Sequence, residues 1–284
     1  MVKAKYVPDI SEHISYYELE KRIQQIEGHE NIGHFRTEIN PLNSKIEKFN
    51  MYKIVQGKGI PVLISGGVHG YEVSGVHSII EFFKKYSKEY TDKFQITAFP
   101  CVNPWGFDKM IHENWQYQND TKMGLNLNRE FKEESEGVEI NIIKPHLKNY
   151  EIHLDLHETW STYTDDRDKE INDLSPDEFF LWETCLDKNK RFGNKIIDAV
   201  KKNNIKVCTW PTIYSDINIG GVISYPEGCG TECYAKGTSF DAYTNGKHTP
   251  QSFTIETPLF ENLEYRVKAN IITIETSLNE LLKR

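Results

Sequence analysis

The sequence predicts an α/β fold in which a largely parallel sheet is covered by helices on both faces. Residues 60–67 form a short apolar run that ends in Gly-Gly, and residues 94–102 form a second one that is followed by Asn-Pro. This pattern is typical of buried strands that stop at turns. Apolar residues recur at helical spacing in residues 72–90 and again in residues 261–283. Strands that alternate with helices in this way indicate a parallel sheet between two helical layers.

The remaining segments fit the same architecture. A capping box at the start of residues 15–27 predicts a first helix there. Residues 151–157 alternate strictly between apolar and polar side chains, as expected for a strand whose two faces differ. The later chain predicts a helix over 178–203, a strand over 205–210 and a strand over 253–257 that Pro258 ends. No linker or internal repeat is visible, so residues 1–284 are expected to form one domain.

Composition argues against several classes of function. Of the 284 residues, 38% are hydrophobic and 27% are charged, as in an ordinary soluble protein. The net charge of −8 disfavours a nucleic-acid partner, because such partners are bound through an excess of Lys and Arg. No apolar run is long enough for a membrane span, and the first residues lack the apolar core of a signal peptide. We therefore expect no membrane association and a cytoplasmic location.

The five cysteines are spread along the chain, and an odd number without an export signal predicts reduced thiols. Cys229 and Cys233 are close in sequence, and such a pair can form a disulfide or contribute to a metal site. A structural zinc needs four ligands, however, and no further His or Cys is near this pair. Whether the two thiols pair stays open.

A histidine and a glutamate lie where the strand 60–67 meets the following helix. His69 and Glu72 are three residues apart, so one helical turn brings their side chains to the same side. Imidazole and carboxylate groups are normal zinc ligands, and a catalytic zinc takes three protein ligands and keeps one open position. In the alternative interpretation, His69 fills the strand end and Glu72 stabilises the helix N-terminus.

The third ligand is expected from the polar face of the strand 151–157, which carries His153, Asp155 and His157. We prefer His157, because open α/β sheets bind ligands at the carboxyl ends of their strands. His153 lies deeper in the strand, two positions further along the same face, and is the competing choice. Asp155 can accept a ring N–H from a histidine ligand and thereby fix its tautomer.

Glu256 is the predicted general base. A water activated by zinc needs a carboxylate within hydrogen-bond reach to take its proton. Glu256 lies at the end of a strand rich in β-branched and aromatic residues, where an unpaired carboxylate is costly. The alternative is a salt-bridged glutamate at a strand end.

Together these motifs resemble the zinc metallocarboxypeptidase family and its relative, the aspartoacylase and succinylglutamate desuccinylase branch. Five matching elements follow one another in order: His69-x-x-Glu72, Asn103-Pro104, Asn126-Leu127-Asn128-Arg129, Asp155-Leu156-His157 and Thr254-Ile255-Glu256. Several ordered elements are far more specific than any single motif. The resemblance implies a mixed, largely parallel sheet of about eight strands sandwiched by helices, with Zn²⁺ bound by His69, Glu72 and His157.

The resemblance also implies the residues that bind substrate. The family's Asn-Arg pair binds a terminal carboxylate, which places that role on Asn128 and Arg129, and a guanidinium fork suits a carboxylate. A structural salt bridge is the alternative for Arg129. Tyr234 corresponds to a mobile tyrosine over the substrate, with Tyr243 as a competitor. Phe240 corresponds to the floor of the specificity pocket, where it would disfavour a basic side chain.

One departure concerns an arginine that the family usually carries between the Asn-Pro and Asn-Arg motifs, where it stabilises the oxyanion. No arginine lies between Phe107 and Leu127. The donors considered in its place are Gln116, Gln118, Asn119 and Lys122. A neutral donor stabilises developing negative charge less than a cation does, which puts ordinary peptide cleavage in doubt.

These observations predict a zinc-dependent hydrolase, most simply a metallocarboxypeptidase, that cleaves an amide next to the free carboxylate of a small peptide. The missing arginine favours a deacylase of N-acyl amino acids as the enzymatic alternative, and a binding module with an inactive site is the third. The mixed-charge run 164–170 is interpreted as a solvated loop rather than a second metal site. The sequence does not predict an oligomeric state.

Overall fold

The computed structural model describes residues 13–37, 46–114, 117, 124–159, 176–225, 238–245 and 247–284. The strands in chain order are β1 His29–Arg36, β2 Lys48–Gly57, β3 Ile60–Gly66, β4 Phe94–Phe99, β5 Ile152–Thr159, β6 Phe180–Cys185, β7 Thr212–Ile213, β8 Asp216–Ile217, β9 Val222–Tyr225 and β10 Gln251–Pro258. Eight of them form one sheet in the order β1-β2-β4-β3-β5-β10-β6-β9, and β7 pairs with β8 in a separate hairpin.

The sheet is mixed, with its parallel part at the centre. The neighbours β4, β3, β5 and β10 run parallel to one another. β6 runs antiparallel to β10, and β1 and β2 form an antiparallel edge. Because β3, β5 and β10 are adjacent and parallel, their carboxyl ends meet at one edge of the sheet.

Helices cover both faces of this sheet. They are α1 Tyr16–Gln24, α2 Val73–Lys85, α3 Pro104–Lys109, α4 Val138–Ile143, α5 Gly193–Lys202, α6 Phe240–Thr244 and α7 Leu263–Leu281. α2, α5 and α7 pack together on the face where Gly75 of α2 lies against Leu156. α6 packs on the opposite face, where the ring of Phe240 lies 4.7 Å from that of His153. The predicted sheet of about eight strands between helices is therefore confirmed.

Most predicted elements are confirmed within a few residues, namely α1, β3, α2, β4, β5, β10 and α7. β10 continues through Pro258, which pairs with Thr159 at the last position of the strand. In the part of the chain that the structure describes, no helix is long and apolar enough to cross a bilayer.

The helix predicted over 178–203 is wrong. β6 occupies the first part of that segment, and α5 begins only at Gly193. The carboxylate of Glu183, within β6, accepts hydrogen bonds from the backbone amides of Phe192 and Gly193 and so satisfies the start of α5. The strand predicted over 205–210 is also wrong, because that stretch contributes a single bridge, between Val207 and Phe179.

Candidate metal site and active-site cavity

A cavity of about 690 Å³ opens at the edge of the sheet where β3, β5 and β10 end. Most of the predicted site residues line it: His69, Glu72, Asn128, Arg129, His157 and Glu256. Residues that lie more than 180 positions apart in the sequence are thus brought to one surface by the parallel strands.

The carboxylate of Glu72 lies between two imidazole rings. Nδ1 of His69 is 2.7 Å from Oε1 of Glu72, and Nδ1 of His157 is 2.8 Å from Oε2. Burial by itself would raise the pKa of Glu72, but the two imidazoles outweigh it and hold that pKa well below its usual range. Two ring nitrogens and a carboxylate that converge in this way are the donor set of a catalytic zinc site.

The outward ring nitrogens of both histidines are also engaged. Nε2 of His157 is 3.0 Å from Oδ2 of Asp155, and Nε2 of His69 is 3.2 Å from Oδ1 of Asn126. Such contacts fix which nitrogen carries the proton and leave Nδ1 as the electron-pair donor. The side chains present therefore fit a bound zinc ion, and Asp155 lies where it could fix the tautomer of His157.

The turn between β3 and α2 places His69 and Glu72. Gly67 has a φ of +65° there, a backbone conformation that side chains with a Cβ rarely adopt. Glu72 is the N-cap residue of α2, yet its side chain makes no capping hydrogen bond. The amide of Ser74 in the first turn of α2 donates instead to Glu158, at 2.8 Å. The carboxylate of Glu72 is therefore available to contact the imidazoles of His69 and His157, while the carboxylate of Glu158 stabilises the start of α2.

His153, the competing third ligand, is fully buried below the cavity. Its Nε2 lies 2.7 Å from Oγ of Ser65, and its Nδ1 lies 2.8 Å from Oγ1 of Thr244. Both ring nitrogens are therefore occupied by hydroxyl groups. Burial lowers the pKa of His153 to about 4, so the ring is neutral near pH 7.

Glu256 lies beside the metal ligands because of the strand register. In the parallel ladder of β5 and β10 it is the direct partner of His157, and the hydroxyl of Thr159 donates to its Oε2 at 2.9 Å. Burial raises the pKa of Glu256 to about 8, and the nearby imidazole of His157 opposes that rise. A carboxylate whose pKa is raised toward neutrality is suited to accept a proton and pass it on.

Asn128 and Arg129 lie on a short 3-10 turn at the cavity wall. The side chain of Asn126 caps this turn, and Oδ1 of Asn128 accepts the backbone N–H of Phe240 at 3.0 Å. The guanidinium of Arg129 donates to the carbonyl of Asn128 at 2.8 Å, and the side chain is exposed at the cavity. A cation held in this way can bind a carboxylate with paired hydrogen bonds.

An aromatic wall forms the far side of the cavity. The rings of Trp182 and Tyr214 are stacked, with centroids 6.0 Å apart and planes 12° apart. The indole N–H of Trp182 and the hydroxyl of Tyr225 both donate to Oδ2 of Asp216, at 3.1 and 3.0 Å. Trp182 is the ladder partner of Thr254, two residues from the predicted base on β10. The wall therefore lies next to Glu256 and offers an apolar surface to part of a substrate.

Phe240 is not placed in the cavity wall, so the structure corrects its expected position. Its ring is fully buried and stacks on Phe131, with centroids 4.0 Å apart. Its neighbours Ser239, Asp241 and Ala242 line the cavity instead, because the first turn of α6 directs Phe240 toward the sheet. Several residues named from the sequence lie outside the described ranges: Tyr234, Gln116, Gln118, Asn119, Lys122, Cys229, Cys233 and residues 164–170.

Two residues of the site were missed in the sequence. Asn126 belongs to a motif that was recognised, but its contact with His69 depends on the path of a loop. His112 lies within the very segment inspected for an arginine, and its ring stacks on that of His69, with centroids 3.8 Å and planes 20° apart. Burial, with a smaller effect of His69, lowers the pKa of His112 to about 4. A search for any ring or guanidinium donor would have found it.

His112 also competes with His157 for the role of third ligand, since donor atoms of His69, Glu72 and His112 lie within 4.8 Å of one another. A zinc ion binds an imidazole in the plane of the ring, about 2 Å from the nitrogen. The nearly parallel planes of His69 and His112 share no such point, whereas the rings of His69 and His157 are tilted by 59°. The ring orientations therefore favour His157, and its role as the third donor stays a prediction.

Comparisons with known proteins agree with this fold. Residues 58–164, which carry six of the predicted site residues, match the family model of the succinylglutamate desuccinylase/aspartoacylase catalytic domain. No curated protein sequence matches the chain.

Solved structures show the same fold. A Shewanella baltica protein provisionally described as a metallopeptidase has 20% sequence identity and a TM-score of 0.66, over 96% of this chain and 92% of that one. A metallo-carboxypeptidase from Burkholderia cenocepacia has 14% identity and a TM-score of 0.60, over 94% and 68% of the two chains. Bovine thrombin-activatable fibrinolysis inhibitor has 13% identity and a TM-score of 0.58, over 96% and 98%.

Fold and site together define the class. The chain has the carboxypeptidase-type α/β fold, and its residues 58–164 resemble the desuccinylase and aspartoacylase catalytic domain, so the resemblance stated from the sequence is confirmed. Sequence identities as low as these show a shared fold and nothing more. The particular reaction is inferred from the residues of the site.

Proposed function

We propose that the protein is a zinc-dependent hydrolase that cleaves an amide bond next to a free carboxylate. The observation that carries this proposal is the pairing of Glu256 with His157 on adjacent strands, which sets a carboxylate base beside the convergent donors of a zinc site. The exposed guanidinium of Arg129 on the same cavity supplies a binding point for the substrate's carboxylate.

His69, Glu72 and His157 would hold the metal. When bound, zinc supplies the Lewis acidity that polarises the scissile carbonyl and acidifies the attacking water. Glu256 takes a proton from this water while the water oxygen bonds to the carbonyl carbon. It then gives the proton to the amide nitrogen as the C–N bond breaks. The products are a carboxylic acid and an amine, and the base is returned to its starting state.

Substrate orientation would come from the two walls of the cavity. Arg129 and Asn128 bind the carboxylate of the departing amino acid, which fixes the distance between that carboxylate and the scissile bond. The stacked rings of Trp182 and Tyr214 cover an apolar part of the substrate and exclude water from it. The partner of this site is therefore a small peptide or an acyl amino acid rather than a macromolecular surface.

Two substrate classes share this chemistry. A metallocarboxypeptidase releases the last residue of a peptide, and an N-acyl amino acid deacylase removes a small acyl group from a single amino acid. The solved structures favour the first class, and the match of residues 58–164 favours the second. Both classes require a free carboxylate on the leaving amine.

Rates on the two classes of substrate test the proposal. The zinc-loaded protein is assayed on blocked dipeptides and on N-acyl amino acids, each beside an analogue whose carboxylate is replaced by a carboxamide. We expect hydrolysis of at least one class, with the carboxamides slower by about 100-fold because the charge-assisted pairing with Arg129 is lost. Equal rates on acids and carboxamides, or no hydrolysis of either class, would contradict the proposal.

A further inference from the structure

The chain contains a ring donor beside the metal ligands that the reaction described above does not use. His112 follows α3 and lines the cavity, with about a third of its side chain exposed. Its Nε2 is 3.8 Å from Oε1 of Glu72, which is too far for a hydrogen bond. Among the described residues, no hydrogen-bond partner is found for either ring nitrogen. A ring N–H of this kind is available to a ligand in the cavity.

Packing holds this ring in one orientation. His112 lies between the ring of His69, stacked at 3.8 Å, and the ring of Tyr71, whose centroid is 5.1 Å away. Its carbonyl accepts the backbone N–H of Gly70 at 3.3 Å. A Cβ on Gly70 would lie 2.1 Å from the carbonyl of Ile111, so only glycine permits this close approach of the two loops.

We infer that His112 is a catalytic residue that donates a hydrogen bond to the oxygen of the scissile carbonyl. This inference rests on the proposed function. The carbonyl under attack must lie beside His69, Glu72 and His157, and Nε2 of His112 faces the same oxygen of Glu72 that His69 contacts. The carbonyl oxygen gains negative charge as water adds, and a donor that is already oriented stabilises this charge without reorganising.

The substitution His112→Phe tests the donor and keeps the stacked ring. We expect kcat to fall about 100-fold because one preorganised donor is lost, with KM and the dissociation constant for zinc changed less than about threefold. His112→Gln restores an N–H group and is expected to lose only about tenfold in kcat. His34→Phe is the matched control, since His34 is exposed on the edge strand β1, away from the cavity.

A second readout does not depend on turnover. A phosphinic analogue of the substrate carries a charged oxygen at the position of the reacting carbonyl, whereas the free amino acid product lacks that group. In His112→Phe the affinity for the phosphinic analogue should fall by about as much as kcat, while the affinity for the free amino acid stays unchanged. A merely structural role of His112 would weaken both ligands together.

The outcomes separate this inference from the proposed function. An unchanged kcat and an unchanged analogue affinity in His112→Phe would overturn the donor role. A loss of zinc affinity by tenfold or more would overturn it too, because His112 would then act through the metal. If the wild-type protein hydrolyses neither class of amide, the proposed function fails, and the ratio of the two affinities still decides whether His112 contacts the charged oxygen.

Discussion

The two halves of the active-site cavity are held in different ways. The strand-held half is carried by β5 and β10 and consists of His157, Glu158, Thr159, Thr254 and Glu256. The loop-held half is carried by turns and connections and consists of His112, Asn126, Arg129, Tyr214 and Ser239. In the first, a ladder of backbone hydrogen bonds fixes the distance between side chains, whereas in the second a few side-chain contacts do so.

The way in which each half is held decides what a substitution there changes. Every residue of β5 is buried, so a change there affects packing, hydrogen bonds and charge together. Arg129 and Tyr214 are exposed, so a change there alters what the cavity binds and leaves the core intact. We therefore expect the strand-held half to determine rate and stability, and the exposed Arg129 and Tyr214 of the loop-held half to determine affinity. His112 is the exception in the loop-held half, because its proposed hydrogen bond to the reacting carbonyl acts on the rate.

Glu256→Gln gives the largest expected effect. It removes the proton acceptor and keeps the shape of the side chain, so kcat should fall about 1,000-fold while KM changes little. The measurement is the rate of amine release at saturating substrate. Zinc content should stay at the wild-type level, since Glu256 is not a ligand.

Glu264→Gln is the matched control, because Glu264 is exposed on α7 and lies outside the cavity. If the kcat of Glu256→Gln lies within tenfold of the wild-type value, another group is the base. The strand-held half would then not determine the rate as expected.

The second prediction concerns stability and pH on β5, where His153 lies buried below the cavity. His153 has a pKa of about 4 in the folded protein because it is buried, against about 6.5 in an unfolded chain. The unfolded state therefore binds more protons between these values. The stability contributed by neutral His153 is fully present above pH 6.5 and is lost as the pH falls toward 4, by about 2 kcal/mol at pH 5.

Denaturant unfolding of wild type and of His153→Gln at pH 8 and pH 5 measures this loss. Glutamine does not titrate. Between pH 8 and pH 5 the free energy of unfolding of His153→Gln should therefore fall by about 2 kcal/mol less than that of wild type. Other titrating groups are common to both proteins and cancel in the comparison. Equal pH dependence of the two proteins would show that His153 is not held neutral by burial.

The third prediction concerns the loop-held half. Arg129→Lys keeps the charge and loses the planar fork, so KM for substrates with a free carboxylate should rise about tenfold and the unfolding midpoint should not move. Arg36→Lys, on the exposed face of β1, serves as control. A shift of the midpoint without a change in KM would place Arg129 among the structural residues instead.

The sequence predicted the strand-held half better than the loop-held half, for a physical reason. The apolar patterns of β3, β5 and β10 indicate their strands, and parallel strands bring His69, His157 and Glu256 to one edge. The stacking of His112 on His69 depends on a contact between Gly70 and a loop about forty residues later, which no local pattern records. The burial of Phe240 depends likewise on which face α6 turns toward the sheet.

The wrong helix over 178–203 has a similar cause. The stretch around β6 has apolar residues that suit a helix or a strand equally, and the choice is made by neighbours that are distant in sequence. β10 and β9 supply hydrogen bonds on either side of Leu181, and Gln251 donates to the buried carboxylate of Glu183 at 2.8 Å. Tertiary pairing of this kind overrides local propensity.

Most of these predictions depend on our proposal that His69, Glu72 and His157 hold a catalytic metal beside Glu256. Metal analysis of wild type, His157→Ala and His112→Phe tests it most directly, with each protein titrated with zinc after chelation. We expect about one zinc ion per chain in wild type and in His112→Phe, and a loss of zinc affinity of at least about 100-fold in His157→Ala. A wild-type protein without affinity for zinc, or an affinity lost in His112→Phe and kept in His157→Ala, would contradict it.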